Sequence, residues 1–464
     1  MSRGRHADTT TVRLAERVRG IRFDTMGERA RRIAAASLLD WIGVTLAGWR
    51  DPAAQAVIAE VEREGALPAA TLIGSGGRVS ARQAALANGT ASHALDLDDV
   101  HLASRVHPSA PLWPALLAAG EEQDASGRDL VAAFVAGVEM QSRLAQMMGE
   151  DHYRRGWHNT ATLGCFGAAA AVAHLARLDA DGFARAIGVA SVQAAGLRAA
   201  FATMSKPFQV GRAAENGLLA VRLAIRGMGG PRDVLDGEGS FGALFAAHRD
   251  PLALDGSVPL ACETIIYKFH ASCYGTQAPI EAALRLAERM PDAAALRTAE
   301  VVVEPQYLSV CNVPDPGSAT ECRFSIRHAV ALALAGRDTM SQASFSVEAA
   351  RDPVLAGLRS RITVIGDPSV ARANACIHAQ TTHGPLTLEV DASRPEPDLD
   401  RQWLRVAAKF RTLAAGHLSG SAVERVIGLC ARIDALESAR MLTAALTPPC
   451  RSLRTPLRGE TADA

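Results

Sequence analysis

Thr160-Ala161-Thr162-Leu163-Gly164-Cys165-Phe166-Gly167-Ala168-Ala169-Ala170-Ala171-Val172-Ala173-His174-Leu175-Ala176-Arg177-Leu178 decides the fold class. Alanine loses no side-chain entropy on entering a helix, so the run reads as helix. Gly164, Gly167 and Ala171 fall at short helical spacings, where small residues let a neighbouring backbone come close. The stretch predicts the interior of a tightly packed bundle. On either side of it, residues from about Thr10 to Leu260 read as helix after helix. Leu38, Leu39, Ile42 and Leu46 form an apolar stripe at helical spacing, closed by Gly48 and Pro52. Asp129 to Met148 is another, largely apolar helix.

The texture changes after Ala261. Ala299 to Val303 is β-branched, and Arg361 to Ile365 runs into the turn signal Gly366-Asp367-Pro368. Ala375 to Thr381 and Pro385 to Val390 flank Thr382-His383-Gly384 as a hairpin. Helices are interspersed over Gln277 to Arg289 and Ser325 to Ala335, and helical patterning returns from Arg401 to about Leu446. There are no internal repeats, and Thr447 to Ala464 reads as a mobile tail. The expected fold is mainly α. Residues 1–262 and 399–464, the two chain ends, form a large helical-bundle domain, and 263–398 form a smaller inserted α+β domain.

Composition sets the function classes. The 464 residues suffice for two or three domains with a large core. Net charge is zero and no basic block is visible, which argues against nucleic-acid binding but leaves room for a local cationic pocket. No secretory signal or membrane-length apolar run is seen, so a cytoplasmic protein that does not bind membranes is expected. The eight cysteines are scattered without a Cys-x-x-Cys pair, which argues against zinc ribbons and local Fe–S ligand runs. They read as buried small hydrophobes.

Four clusters stand out from this apolar background. The first is His93-Ala94-Leu95-Asp96-Leu97-Asp98-Asp99-Val100-His101, followed by His107-Pro108-Ser109. Asp96 and Asp99 are spaced for one helical face, and Pro108 biases His107 towards an extended loop. Helix capping is the plainer use of these aspartates. The second is Gly156-Trp157-His158-Asn159-Thr160. With Asn159 or Thr160 as N-cap, His158 would lie at the positive end of the Ala-rich helix. The third, Met204-Ser205-Lys206-Pro207-Phe208-Gln209, sets a lone lysine among apolar residues, suited to a carboxylate unless it is an ordinary surface lysine. The fourth, Tyr267-Lys268-Phe269-His270-Ala271-Ser272-Cys273-Tyr274-Gly275-Thr276-Gln277, lies where the α+β segment begins, a place for an interdomain cleft. Cys273 reads as packing rather than as a nucleophile. Gly74-Ser75-Gly76-Gly77-Arg78 lacks the Gly-Lys-Ser/Thr of a phosphate loop.

At these four clusters the sequence resembles the MmgE/PrpD family. The resemblance starts at Ala36-Ser37-Leu38-Leu39-Asp40-Trp41-Ile42-Gly43 and continues through Ala87 to Asp99, His107-Pro108-Ser109, Trp157-His158-Asn159-Thr160 and Met204-Ser205-Lys206-Pro207. It extends over Lys268 to Gln277 and Cys311-Asn312-Val313-Pro314 with Phe324-Ser325. Each motif is weak alone, while their order and spacing together are specific. The resemblance implies a helical domain with an α+β lid, an active site between the two, a homodimer, no metal and no organic cofactor. It places the family's catalytic positions on Asp96, His107, His158 and Lys206. In decarboxylating members a histidine matches Gln277 and a tyrosine matches His328, which weakens a decarboxylase reading here.

The resemblance implies a cofactor-independent hydro-lyase that dehydrates a small hydroxy-polycarboxylate such as 2-methylcitrate or citrate. Such chemistry needs a base for the proton α to a carboxylate, an acid for the departing hydroxyl, and cations for the enolate-like charge. His158 or His107 is the expected base, oriented by Asp96, with His270 or the second imidazole as acid. Lys206 and Lys268 would hold substrate carboxylates, with Gln277, Cys273 and His328 as further substrate contacts. The same set suits an epimerase or a decarboxylase. Two other classes compete. A metal-dependent helical enzyme would use Asp96, Asp98 and Asp99, although Leu102 breaks an Asp-Asp-x-x-Asp pattern, or an Asp/His site with His101 or His107. A non-catalytic family member would keep the fold alone.

Overall fold

The Ala-rich stretch is a helix over Asn159–Leu175, and every residue of it except His174 is buried. It is wrapped by the helices Ser109–Gln123, Gly127–Arg154, Ala180–Ser191 and Ser205–Ile225. The small residues act as the sequence implies. A methyl group added at Gly217 would lie 2.5 Å from the Ala168 Cβ, and one at Gly137 would lie 2.9 Å from the Ala171 Cβ. These backbones meet at distances only glycine and alanine allow.

The computed structural model describes residues 9–201, 203–246, 259–290 and 292–446. The proposed tail from Thr447 and the N-terminal stretch to Asp8 lie outside the described residues, as does Cys450. The remaining seven cysteines form no disulfides. Among the described residues no helix is long and apolar enough to cross a membrane.

The fold is mainly α, as expected. The helix Glu28–Gly48 carries the Leu38/Leu39/Ile42/Leu46 stripe and is buried along most of its length. The helix Leu399–Ala414 returns from the other end of the chain to pack along it, with Phe410 seated over Gly43. The last helices, Gly420–Ala431 and Ala439–Ala445, pack on Glu28–Gly48 and Ser109–Gln123 respectively. One hydrophobic cluster joins residues between Leu14 and Ile265 to residues between Val406 and Leu446.

A second cluster gathers residues between Ala271 and Val390, and touches the first part of the chain at Val44 and Leu97. Its sheet has four strands in the order Ile362–Gly366, Leu296–Val303, Asn374–Thr381, Gly384–Asp391. The first pair is parallel and the others are antiparallel. Thr381 pairs with Gly384, so Thr382 and His383 form the hairpin loop, and Gly384 takes φ +111, which glycine tolerates. The helix Tyr274–Arg289 packs on this hairpin and on the helix Ile326–Leu334. It also sets the Lys268 to Gln277 stretch beside the bundle.

Candidate active site

The site is organised by the loop that follows the helix Ala81–His93. A Ser80/Gln83 capping box starts that helix, and it stops at His93 rather than running on through the aspartates. Asp96 and Asp99 therefore do not share a helical face, contrary to the spacing argument. Asp96 takes φ +57, a left-handed backbone that costs about 1 kcal/mol for a non-glycine residue. Two lysines from distant parts of the chain hold it there. Lys268 Nζ donates to the Asp96 carbonyl at 2.5 Å, and Lys409 Nζ donates to the Leu97 carbonyl at 2.8 Å. Lys409 is also paired with buried Asp40 at 2.6 Å.

The three aspartates have three different partners. Asp99 accepts from the Ser109 N–H at 3.0 Å and from its hydroxyl at 2.6 Å, where the helix Ser109–Gln123 begins. For Asp99, the plain capping alternative is what the structure shows. Burial, reinforced by Asp40 and opposed by Ser109, pushes its carboxyl up to about 8. Asp98 faces imidazoles: it accepts from His93 Nδ1 at 2.8 Å and lies 3.3 Å from His107 Nδ1. Burial alone would raise its carboxyl, but His107 and His93 outweigh that and keep it ionised.

Asp96 faces lysines. Lys206 Nζ donates to its Oδ1 at 2.7 Å, and Lys268 Nζ lies 3.3 Å from the same oxygen. Against the effect of burial, the two ammonium groups hold the Asp96 carboxyl well below the usual carboxylate range. Burial likewise favours neutral Lys206, and Asp96 reverses it. Two cations thus share one carboxylate, which leaves ammonium protons available to a second anion.

Three imidazoles stand together. The His93 ring centroid is 5.0 Å from that of His107 and 5.7 Å from that of His158. His107 Nδ1 lies 2.9 Å from the Asp99 carbonyl. A carbonyl and an ionised carboxylate can only accept, so Nδ1 carries the proton and Nε2 keeps its lone pair. Burial pushes the His107 imidazole down to about 3. His158 lies well below its ordinary range through burial, His93 and Lys206. Both rings are neutral at neutral pH. His158 itself occupies the N-cap of Asn159–Leu175 without a side-chain cap bond, in place of Asn159 or Thr160. Those two side chains bind the preceding loop instead: Asn159 donates to the Ser104 carbonyl, and Thr160 accepts from the His107 N–H.

Comparison with known proteins places the chain in a family. The model of the MmgE/PrpD N-terminal domain matches residues 12–252, and that of the MmgE/PrpD C-terminal domain matches residues 270–434. The chain belongs to the MmgE/PrpD family. Its relatives include the cis-aconitate decarboxylase of Homo sapiens, 28% identical over 80% of each chain. That of Aspergillus terreus (strain NIH 2624 / FGSC A1156) is 27% identical over 89% of each. The cis-aconitate decarboxylase-like protein oryM of Aspergillus oryzae is 36% identical over 55% of this chain and 57% of its own.

Of the MmgE/PrpD positions read from the sequence, Asp96, His107, His158, Lys206 and Lys268 come together here. The others serve the α+β segment. Gln277 accepts from the Phe269 and His270 N–H groups and donates to the His270 and Ser272 carbonyls, so its amide clamps the turn that follows Lys268. His270 is buried, 2.8 Å from Thr339 Oγ1 and 3.3 Å from Glu281, and so sits in a separate polar group. His328 is buried between the Ser344 carbonyl, Arg359 and Phe345. Cys273 is half-buried, and a hydrogen bond with Cys311 pulls its thiol below the ordinary range. Sequence reasoning gave no role to His93, Gln209 and Lys409, and weighed Asp98 only as a metal ligand. His93, Asp98 and Gln209 lie inside the quoted clusters, and Lys409 carries no local signal.

His93, Asp98 and His107 also have ligand atoms within 4.8 Å of one another, and could hold a divalent ion. This trio is the specific basis for the metal-dependent alternative.

Folding leaves these groups with a pH signature. Burial pushes His101 and His152 down to about 4 and His107 to about 3, with His158 shifted the same way. Between pH 6.5 and about 4 the unfolded chain binds protons that the native chain refuses, so acid removes stability. Asp99 acts oppositely. It stays protonated in the native state up to about 8, so its contribution falls as pH rises towards that value. Several histidines oppose Asp99 and Asp40 below 6.5, and Asp99 acts with little opposition above it. Urea midpoints measured from pH 5 to 8 are expected to peak near 6.5. A midpoint still climbing at pH 8 would contradict the assignment of Asp99.

Proposed function

We propose that this MmgE/PrpD-family chain is a lyase that moves protons on a small polycarboxylate with its own side chains. The observation that carries the reading is Asp96 shared by Lys206 and Lys268, beside a neutral His107 whose Nε2 lone pair is fixed by Asp98 and Asp99. The lysines would bind a substrate carboxylate and stabilise the enolate-like charge that develops next to it. The substrate's negative charge would raise the His107 pKa on binding, which makes the ring a stronger base when it is needed. In dehydration, His107 Nε2 takes the α-proton, the carbon–hydroxyl bond breaks, and the hydroxyl leaves as water with a proton from an ammonium group. The product is an alkene.

The names of the relatives support a second reading, loss of CO₂ from cis-aconitate. There the carbon–carboxyl bond breaks and a proton replaces the carboxyl. Gln277 has no ionisable proton to give, and its amide is already engaged by the backbone. This favours dehydration over any decarboxylation that needs an acid at that position. Epimerisation would use only the first step, proton removal.

The test is proton NMR in D₂O with citrate, 2-methylcitrate, cis-aconitate and iminodisuccinate, with and without EDTA. A new alkene signal from a hydroxy acid supports dehydration, and decarboxylated product from cis-aconitate supports the second reading. Deuterium at the α-carbon without net conversion supports epimerisation. Activity abolished by EDTA and restored by a divalent ion would move the chemistry to the His93/Asp98/His107 trio. Inertness towards the whole panel would count against the reading.

A further inference from the structure

We infer that Gln209 is a positioning residue that fixes His158 as a hydrogen-bond donor, which leaves His107 as the base of the pair. The inference rests on the proposed function for its catalytic meaning, while its structural part stands apart from any substrate.

The orientation of the Gln209 amide is fixed by backbone groups. The Leu197 N–H donates to Gln209 Oε1 at 2.9 Å, and Gln209 Nε2 donates to the Leu197 carbonyl at 3.2 Å. A backbone N–H only donates and a carbonyl only accepts, so this two-point lock admits one orientation of the amide. The Gln209 nitrogen also lies 2.7 Å from His158 Nδ1. An amide N–H cannot accept, so His158 Nδ1 must be bare, and the proton of the neutral ring sits on Nε2. An imidazolium would place an N–H against an N–H. The lock therefore opposes protonation of His158 in addition to burial, His93 and Lys206. His158 is held from the other side as well. Its backbone N–H donates to the Gly196 carbonyl, beside Leu197, and Phe201 packs edge-on against the ring at 5.0 Å.

His107 has the opposite tautomer, with its proton on Nδ1 and its lone pair on Nε2. Two neutral imidazoles flank His93, one built to accept a proton and one to donate a hydrogen bond. His158 Nε2–H suits the oxygen on which charge gathers as the α-proton leaves. A neutral imidazole can give that hydrogen bond without parting with its proton.

The experiment uses the full chain with ¹⁵N-labelled histidine. Two-bond ¹H–¹⁵N correlations read the tautomer of each ring, and a His158→Ala variant identifies the His158 signals. The expected wild-type pattern at pH 7 is a neutral His158 protonated on Nε2. Gln209→Glu offers only acceptors, so Nδ1 should gain a proton, and the ring should become cationic near neutral pH. With an active substrate, this variant should lose about 10²-fold in kcat and gain an ionisation in its pH profile. Gln209→Leu, which removes the donor without adding an acceptor, should leave both tautomers populated. A wild-type His158 protonated on Nδ1, or a tautomer unchanged in Gln209→Glu, would overturn the inference. The spectra need no substrate, so failure of the carboxylate panel would remove the proposed function and leave this result standing.

Discussion

His107→Ala is expected to lower kcat about 10³-fold on whichever polycarboxylate turns over, with KM changed only a few-fold. The expectation follows from the separation of roles. Binding of a carboxylate falls to Lys206 and Lys268, which the substitution leaves in place on Asp96. Removal of the α-proton falls to His107 Nε2, and a positioned general base contributes about 10² to 10⁴. The ring is largely buried, but the Asp98 carboxylate keeps its hydrogen bond with His93, so the loop has no reason to collapse. The loss in kcat/KM should be flat from pH 6 to 8, because burial keeps His107 neutral across that range in the free protein. Steady-state kinetics and α-proton exchange in D₂O measure both parts. A loss below tenfold, with exchange intact, would take the base role away from His107.

Lys409→Met is expected to cost about 3–5 kcal/mol of stability, the range for removing one partner of a buried ion pair. Lys409 and Asp40 have almost no exposed side-chain surface, so water cannot take over the lost interaction. Burial already raises the Asp40 carboxyl, and Lys409 is the main force opposing that rise. Without Lys409, the Asp40 carboxyl is pushed further up by burial and either takes up a proton or stays charged at high cost. The Leu97 carbonyl loses its donor at the same time. Pairing Lys409→Met with Asp40→Asn separates these effects, since the double variant removes the stranded charge and should recover most of the urea midpoint. It should not recover kcat, because the loop that carries Asp96 remains untied. A single variant as stable as wild type would show that the pair contributes nothing.

The bundle was legible because its signal is local. Gly164, Gly167 and Ala171 declare close packing by their size, and the hairpin declares itself through Thr382-His383-Gly384 between alternating strands. The five residues that meet in the candidate site were legible for a related reason: polar groups in an apolar chain stand out. What was misread depends on contacts that cross the chain. Asp96 and Asp99 look helical until Lys268 and Lys409 hold the loop in a left-handed turn. The sequence likewise carries no sign of the backbone groups that Gln277 and His328 bind. The roles of the two histidines stayed open because a tautomer is set by partners such as Leu197 and Asp99, whose carbonyls carry no residue-specific signal.

The tie between Lys409 and the Leu97 carbonyl also orders events during synthesis. Chains emerge from the ribosome N-terminus first, so Asp96, His107, His158, Lys206 and Lys268 are all made before residue 409. Until the helix Leu399–Ala414 docks along Glu28–Gly48, the loop lacks one of its two anchors, and Asp40 lacks its paired lysine. A nascent or truncated chain would hold the full chemical inventory without the posture that makes it reactive. On the proposed function, catalytic competence would arrive only once that helix is in place, and shorter products of translation would stay silent.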